Sequence, residues 1–288
     1  MRVKETALAK INLYLDVIGK REDGFHNIET VMQSISLTDE LEIEYNDDGI
    51  GRVSLEIIGN DSLLADDNNL VIRAVNAYKE KHAFTGSLSI TLTKKIPISA
   101  GLAGGSADAA ATLRALNKIF GSPLSKAELN DLGASLGSDI PFCLVGGTAL
   151  CYGRGEKMVA LDVDMPLHLV LVKTDESVST PKAYKILDQI YDDFKLPRVD
   201  DGRKDVLENL KNGRYDKLYN IFETPVLAEC KKAHQAIKRL SALGAGVTLM
   251  SGSGPSVFGI FKDEISAKSA VDILSQEAPF VCYAKNNT

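Results

Sequence analysis

Pro97-Ile-Ser-Ala-Gly-Leu-Ala-Gly-Gly-Ser-Ala-Asp108 decides how the chain is read, because a glycine-rich turn here runs directly into an alanine-rich segment. Gly101, Gly104 and Gly105 carry no Cβ, so the backbone is able to take positive φ and bring several N–H groups close to an anion. Ser106 opens the run Ala107-Asp-Ala-Ala-Ala-Thr-Leu-Arg-Ala-Leu116, made largely of strong helix formers. A helix N-terminus adds unpaired donors and a partial positive charge at the same place. Two readings are open: a phosphate cradle, or a structural strand-to-helix turn. The common nucleotide P-loop is excluded, because no Lys-Ser or Lys-Thr pair follows the last glycine. The dinucleotide G-x-G-x-x-G pattern is also absent, and the segment comes too late to open a first Rossmann unit.

A chain of 288 residues with 44% hydrophobic content is long enough for two cores. Its net charge of −6 and pI near 5.4 argue against nucleic acid as a partner, so any phosphate site must be local. Cys143, Cys151, Cys230 and Cys282 form no C-x-x-C pair and lie in or beside apolar segments, as buried free thiols in a reducing cytosol would. The N-terminus Met-Arg-Val-Lys-Glu-Thr has no apolar signal region, and no run approaches the roughly 18 apolar residues of a membrane span. A soluble, cytoplasmic protein without a membrane partner is expected.

The chain begins β-rich. Val3 to Val17 reads as extended, and 30–37, 41–45 and 53–58 continue the period of two. Asn68 or Asn69 caps a helix bearing Leu70, Val71, Ala74, Val75 and Tyr78, and Leu88-Ser-Ile-Thr-Leu-Thr alternates as a strand. Ser125-Lys-Ala-Glu128 is a capping box that starts a helix ending near Gly133. Past about residue 160 a new strand–helix series begins, which places one domain at 1–160 and a second at 161–288. There, Thr180-Pro181 and Thr224-Pro225 predict helices over 181–192 and 225–241, with strands at 246–250, 256–261 and 281–285 and a helix over 264–276. Asp192 to Lys204 is polar and reads as a mobile loop.

Three segments stand out together: Ala9-Lys10-Ile-Asn12-Leu, the glycine turn, and Leu136-Gly-Ser-Asp139-Ile-Pro-Phe. Phosphoryl transfer to an alcohol needs a phosphate cradle, a cation, and a group that orients or deprotonates the nucleophile. Asp139 sits in a tight turn after Gly137-Ser138, bordered by apolar Ile140 and Phe142, where it reads either as a base or as a helix N-cap. Lys10 interrupts an apolar strand and reads either as a cleft cation or as a solvent-facing lysine. If the two meet, each favours the other's charged form.

The pattern Pro97-x-Ser-Ala-Gly-Leu-x-Gly-Gly-Ser-Ala, with the late Gly252-Ser-Gly-Pro-Ser-Val-Phe-Gly, resembles two motifs of the galactokinase, homoserine kinase, mevalonate kinase and phosphomevalonate kinase (GHMP) superfamily. Ala9-Lys-Ile-Asn-Leu-Tyr-Leu-Asp-Val and Lys20-Arg-x-Asp-Gly-Phe-His narrow the resemblance to the branch that phosphorylates a cytidine-diphosphate-linked methylerythritol, an isoprenoid precursor. The resemblance spans the whole chain in order. It implies an α+β, two-domain GHMP kinase fold, with an N-terminal ribosomal-protein-S5-like α/β domain that binds ATP and a C-terminal ferredoxin-like domain.

Carried onto this sequence, the resemblance makes Lys10 and Asp139 the catalytic pair and puts Asn12 beside the acceptor. Phe25 would stack on cytosine, where several relatives carry tyrosine, and His26 would read the ring edge. Tyr184 is the opposing aromatic and Thr180 touches the acceptor. From the residues alone, Phe25 reads rather as core and His26 rather as a surface or structural histidine, and the resemblance reverses both. ATP binds along Pro97, Ser99, Ala100, Gly101, Leu102, Ala103, Gly104, Gly105 and Ser106, with its phosphates on Gly101 through Ser106 and adenine near Asn68, Asn69, Lys94 and Lys95. Mg2+ comes with ATP and is held mainly by the phosphates, with Ser106 as the one protein ligand to name. The expected state is a monomer or homodimer.

Rival readings are a superfamily enzyme with another alcohol, such as homoserine or mevalonate, and a non-catalytic small-molecule sensor built on the ATP fold. Gly24-Phe-His26 has no use without a pyrimidine, and Lys10 with Asp139 argues against a sensor. A serine hydrolase is disfavoured, since the four histidines, His26, His82, His168 and His234, flank no recognisable nucleophile.

Overall fold

The computed structural model describes residues 1–163, 166–191, 202–215 and 217–287, without the side chains of 202 and 203. Its elements begin with β1 (Arg2–Lys20), β2 (His26–Asn46), β3 (Val53–Ile58), α1 (Leu70–Lys81), β4 (Ser87–Thr93), α2 (Gly104–Ile119), α3 (Lys126–Leu136) and α4 (Ile140–Val145). They continue with β5 (Thr148–Gly153), β6 (Lys157–Ala160), β7 (His168–Lys173), α5 (Thr180–Ile190), α6 (Gly202–Lys211), β8 (Tyr219–Asn220) and α7 (Glu223–Glu229). Last come α8 (Lys231–Ala242), β9 (Val247–Met250), β10 (Val257–Phe261), α9 (Glu264–Leu274) and β11 (Phe280–Lys285). Contacts divide the chain into two compact units. The first is Met1–Ala9, Leu37–Ile98 and Ala103–Gly146; the second is Lys10–Ser36, Ser99–Leu102 and Gly147–Thr288.

In the first unit β3 and β4 pair in parallel, with α1 as the crossover that parallel strands require. β4 then pairs antiparallel with β2, setting Leu41 opposite Leu92 and Ile43 opposite Ile90. Strict alternation in β4 buries Leu88, Ile90 and Leu92 in one core with Val71, Val75 and Tyr78 of α1 and Leu113 and Leu116 of α2. Ala107, Ala109, Ala110 and Ala111 are buried too, because their small side chains let α2 lie close to its neighbours. Asn69 caps α1 by accepting from Val71 N, and the Ser125–Glu128 capping box starts α3.

In the second unit the Lys10–Lys20 part of β1 and the His26–Ser36 part of β2 are neighbours, turned by a bond from Arg21 N to Phe25 O. β5 pairs antiparallel with β2 along Ile28–Gln33, β6 pairs with β5, and the two-residue β8 runs parallel to Tyr14–Leu15. A separate four-stranded antiparallel sheet has the order β11-β7-β10-β9. Val170, Val172, Val257 and Phe261 from that sheet pack with Ala236 and Leu240 of α8 and Ala267, Ala270 and Leu274 of α9.

Several expectations from the sequence are corrected. The segments 30–37 and 41–45 belong to the single long strand β2. α3 runs past Gly133, because that glycine serves packing: a Cβ there would lie 2.9 Å from Ile140 Cγ2. The helix expected over 225–241 is two helices, broken at Cys230, whose ψ of 80° is not helical. Neither threonine before proline is a cap. Ser179 caps α5 by accepting from Lys182 N, and α7 begins after Phe222 without a side-chain cap. Residues 192–201 of the polar segment lie outside the described residues, while α6 starts at Gly202. All four cysteines are free, but only Cys151 and Cys230 are fully buried; Cys143 and Cys282 are half-buried. Among the described residues no helix is long and apolar enough to cross a membrane.

One buried charge cluster stands inside the first unit. Lys94 Nζ donates to Asp39 Oδ2 at 2.5 Å and to Asp108 Oδ2 at 2.6 Å. Asp39 Oδ1 also accepts the Lys95 and Ile96 amides, whereas Asp108 Oδ1 is buried with no hydrogen-bond partner. Burial pushes the Asp108 carboxyl up from 3.8 to about 7, against the pull of Lys94 and with the added repulsion of Asp39. Folded Asp108 thus holds its proton more tightly than the unfolded chain does. That contribution is complete below the unfolded value and is lost as pH rises through about 7. Urea midpoints of the wild type relative to Asp108→Asn are therefore expected to fall between pH 5 and pH 8. A constant difference across that range would show that Asp108 stays ionised throughout.

Candidate functional site

The glycine turn is built differently from the simplest expectation. Positive φ occurs at Ser99 (50°), Gly101 (73°) and Ala103 (56°), not at Gly104 or Gly105, which are the first residues of α2. Those two glycines provide room: a Cβ on Gly104 would sit 3.0 Å from Ile96 Cγ2, and one on Gly105 3.3 Å from Leu70 Cδ1. At Gly101 both demands coincide, because a Cβ would lie 2.2 Å from the Ser251 carbonyl oxygen. The N-cap position of α2 is Ala103, whose side chain caps nothing, so the first turn presents its amides and dipole uncapped by a side chain. Ser106 lies in that first turn.

Lys10 is buried, so the solvent-facing reading is overturned. Its Nζ donates to Asn12 Oδ1 at 2.7 Å and to the Gly101 carbonyl at 3.1 Å, and its backbone N–H donates to Leu102 O. The cation and the middle of the glycine turn are thus in direct contact within the second unit. Asn12, expected beside the acceptor, has both ends of its amide engaged, since Nδ2 donates to Thr30 Oγ1 at 2.7 Å. Gly101 O also accepts from Ser251 Oγ at 3.0 Å, and Asn220 Nδ2 donates to the carbonyls of Met250 and Gly252. Thr30, Asn220 and Ser251 were missed as contributors. Gly252-Ser-Gly-Pro signalled the last segment, but nothing local marks Thr30 or Asn220.

Asp139 belongs to the first unit. It occupies the N-cap position of the short α4, with Pro141 in the first turn, yet its side chain makes no capping bond. The N-cap reading therefore holds for the backbone only, and the residue is half-buried.

Around the Phe25 turn, in the second unit, Gly24 takes a φ of 84° and Asp23 Oδ1 accepts Phe25 N. Phe25 is 53% exposed, which excludes a core role, and the Arg154 guanidinium lies 5.1 Å from its ring centroid. His26 is buried, with Nε2 2.8 Å from Asp188 Oδ1 and its ring stacked on Tyr184 at 4.7 Å. Burial would raise the Asp188 carboxyl, but hydrogen bonds from Lys20 and His26 outweigh it and hold the group below its usual range. Tyr184 also meets Phe222 edge-on, and Thr180 Oγ1 lies 3.0 Å from Ser253 Oγ.

Of the four residues expected near adenine, two have side chains engaged in structure. Asn69 caps α1 and donates to Leu64 O, and Lys94 is closed between Asp39 and Asp108. Lys95 is exposed and pairs with Glu40, and Asn68 is exposed. Among the described residues no group of three or more His, Cys, Asp or Glu is placed to hold a metal ion.

The family "GHMP kinases N terminal domain" matches residues 69–147, and "GHMP kinases C terminal" matches 203–279. A 4-diphosphocytidyl-2-C-methyl-D-erythritol kinase of Clostridium beijerinckii is 38% identical over 281 residues, covering 96% of each chain. That of Caldicellulosiruptor saccharolyticus is 40% identical over 278 residues, covering 93% of this chain and 91% of its own. Among solved structures, a 4-(cytidine 5'-diphospho)-2C-methyl-D-erythritol kinase superposes with a TM-score of 0.82 at 31% identity, covering 99% of this chain and 100% of that one. The chain belongs to the GHMP kinase family, among its 4-diphosphocytidyl-2-C-methyl-D-erythritol kinases.

Proposed function

We propose that the chain transfers the γ-phosphoryl group of ATP to the 2-hydroxyl of 4-diphosphocytidyl-2-C-methyl-D-erythritol, a step in making isoprenoid precursors. The observation that carries this reading is the buried Lys10 ammonium bonded to the Gly101 carbonyl, which puts a fixed cation against the glycine turn. Such transfers need little covalent chemistry from the protein and depend on positioning and charge. The turn from Pro97 to Ser106 holds the ATP phosphates through its amides and the α2 N-terminus. Asn68 and Lys95 remain for adenine, while Asn69 and Lys94 act there only through the backbone they shape. Mg2+ travels with the nucleotide and offsets charge on its phosphates. The hydroxyl of Ser106, in the first turn of α2, is the protein ligand assigned to it.

Asp139 orients or deprotonates the acceptor hydroxyl, Lys10 offsets charge on the group in flight, and Asn12 sets Lys10 and lies beside the acceptor. Cytosine lies against Phe25, and His26 and Tyr184 form its polar and aromatic surroundings, with Thr180 nearer the polyol. The exposure of Phe25 and the anchoring of His26 by Asp188 support this assignment. The relatives' printed names favour this acceptor over homoserine or mevalonate, and over a sensor without activity.

A coupled ATP-consumption assay against this acceptor, homoserine, mevalonate and galactose tests the reading; turnover confined to the cytidine-linked alcohol is expected. Asp139→Ala is expected to lower kcat by about a hundredfold or more while nucleotide affinity, read by ADP titration, stays unchanged. Normal turnover in that variant would remove Asp139 from the reaction. His26→Ala is expected to raise the acceptor's KM by roughly tenfold, from the loss of a buried polar contact worth about 1–3 kcal/mol, with little change for ATP. Equal effects on both substrates would place His26 outside the pyrimidine site.

A further inference from the structure

Three hydrogen bonds in the second unit run in one direction that chemistry dictates. At one end stands the Tyr14 carbonyl, which is only able to accept. Thr30 Oγ1 lies 2.6 Å from it and donates its single proton there. With that proton used, Thr30 Oγ1 faces Asn12 as an acceptor, so the group 2.7 Å away must be the Asn12 NH2. The other end of the same amide, Oδ1, is thereby turned toward Lys10 Nζ at 2.7 Å, and an ammonium is only able to donate. An acceptor at one end and a donor at the other leave one consistent polarity for the chain. The amide orientation is fixed by this network, which is how such orientations must be assigned.

The surroundings make the polarity stringent. Thr30, Asn12 and Lys10 are 0%, 2% and 4% exposed, so water is poorly placed to replace a lost partner. Buried polar groups left unmatched are costly, and a network of them acts as a unit. An Asn12 amide turned over would aim NH2 at the Lys10 ammonium, donor against donor, and the ammonium would lose the Oδ1 acceptor that fixes its place.

We propose that Thr30 is a positioning residue for phosphoryl transfer: its hydroxyl fixes the Asn12 amide so that Oδ1 faces Lys10 and holds the ammonium against the glycine turn. This rests on the proposed kinase reaction for its consequence in rate, but the orientation itself does not. Thr30 touches neither nucleotide nor acceptor in this account. It acts through Asn12, at one remove from the reacting group, and small displacements of such groups have large effects on rate.

Thr30→Val keeps the shape of the side chain and removes the hydroxyl, while Thr30→Ser keeps the hydroxyl. The Val variant is expected to lose about tenfold or more in kcat with the KM values for ATP and acceptor nearly unchanged, and the Ser variant to recover most of the loss. In an Asn12→Ala background the same Thr30→Val change is expected to add little, because its effect passes through the amide. A second readout needs no acceptor: modification of Lys10 by an amine reagent, followed by mass spectrometry, is expected to quicken several-fold in Thr30→Val but not in Thr30→Ser. Should Thr30→Val fail to fold, Thr30→Ala carries the same comparisons. Wild-type kcat in the Val or Ala variant, full additivity with Asn12→Ala, or unaltered Lys10 modification each overturns the proposal. If the wild type itself leaves the cytidine-linked acceptor untouched, the proposed function falls, and the Lys10 modification still decides the role of Thr30.

Discussion

The carbonyl oxygen of Gly101 receives the Lys10 ammonium and the Ser251 hydroxyl at 3.1 and 3.0 Å. This convergence requires backbone to approach backbone. A Cβ at 101 would stand 2.2 Å from the Ser251 carbonyl, and one at Gly252 would stand 2.9 Å from the Gly101 carbonyl. Both residues also take positive φ, so space and conformation each select glycine. The cation, the glycine turn and the late Gly252-Ser-Gly-Pro segment therefore meet at one oxygen, and displacing any of them displaces the other two.

Holding the turn in that shape has an energetic cost. Ser99 and Ala103 adopt left-handed φ despite carrying Cβ atoms, at about 1–2 kcal/mol each. Such conformations persist only where neighbouring structure over-determines them. On the entering side, Asp39 accepts the Lys95 and Ile96 amides and the Lys94 ammonium. On the leaving side, Gly104 lies close against Ile96, and Asp108 ties α2 to Lys94. The Lys94–Ile96 segment and the start of α2 are thus both fixed to one buried charge cluster.

The fold was legible where the signal is local and periodic. Strict alternation located β3 and β4, Asn69 and the Ser125–Glu128 box located two helix starts, and the glycine turn fell between a strand and a helix. Signals failed where one residue type serves two ends. Gly133, Gly104 and Gly105 act through absent volume, which looks the same in sequence as a turn signal. Thr180 and Thr224 precede prolines as caps do, but Ser179 makes the bond at the first and no side chain makes it at the second. β8 is two residues long and exists only through its pairing with Tyr14 and Leu15, so no periodicity could announce it. Thr30 and Asn220 matter through partners 16 to 32 residues away or through strand neighbours, information that a linear pattern does not hold.

Lys10 and Lys94 show the same limit within one residue type. Both sit on or beside strands among apolar neighbours, both are buried, and in sequence they present the same picture. Lys94 is closed between two carboxylates, which raise its affinity for its proton against the opposing effect of burial. Its charge is neutralised where it stands, so its work is to tie Asp39 to Asp108. Two of the hydrogen bonds of Lys10 go instead to neutral oxygens, the Asn12 amide and the Gly101 carbonyl, and these fix the direction of its ammonium. The bond to Gly101 holds that ammonium against the middle of the glycine turn. Burial is alike at the two lysines, and the difference lies in the partners that the fold brings to each, which a linear pattern does not hold.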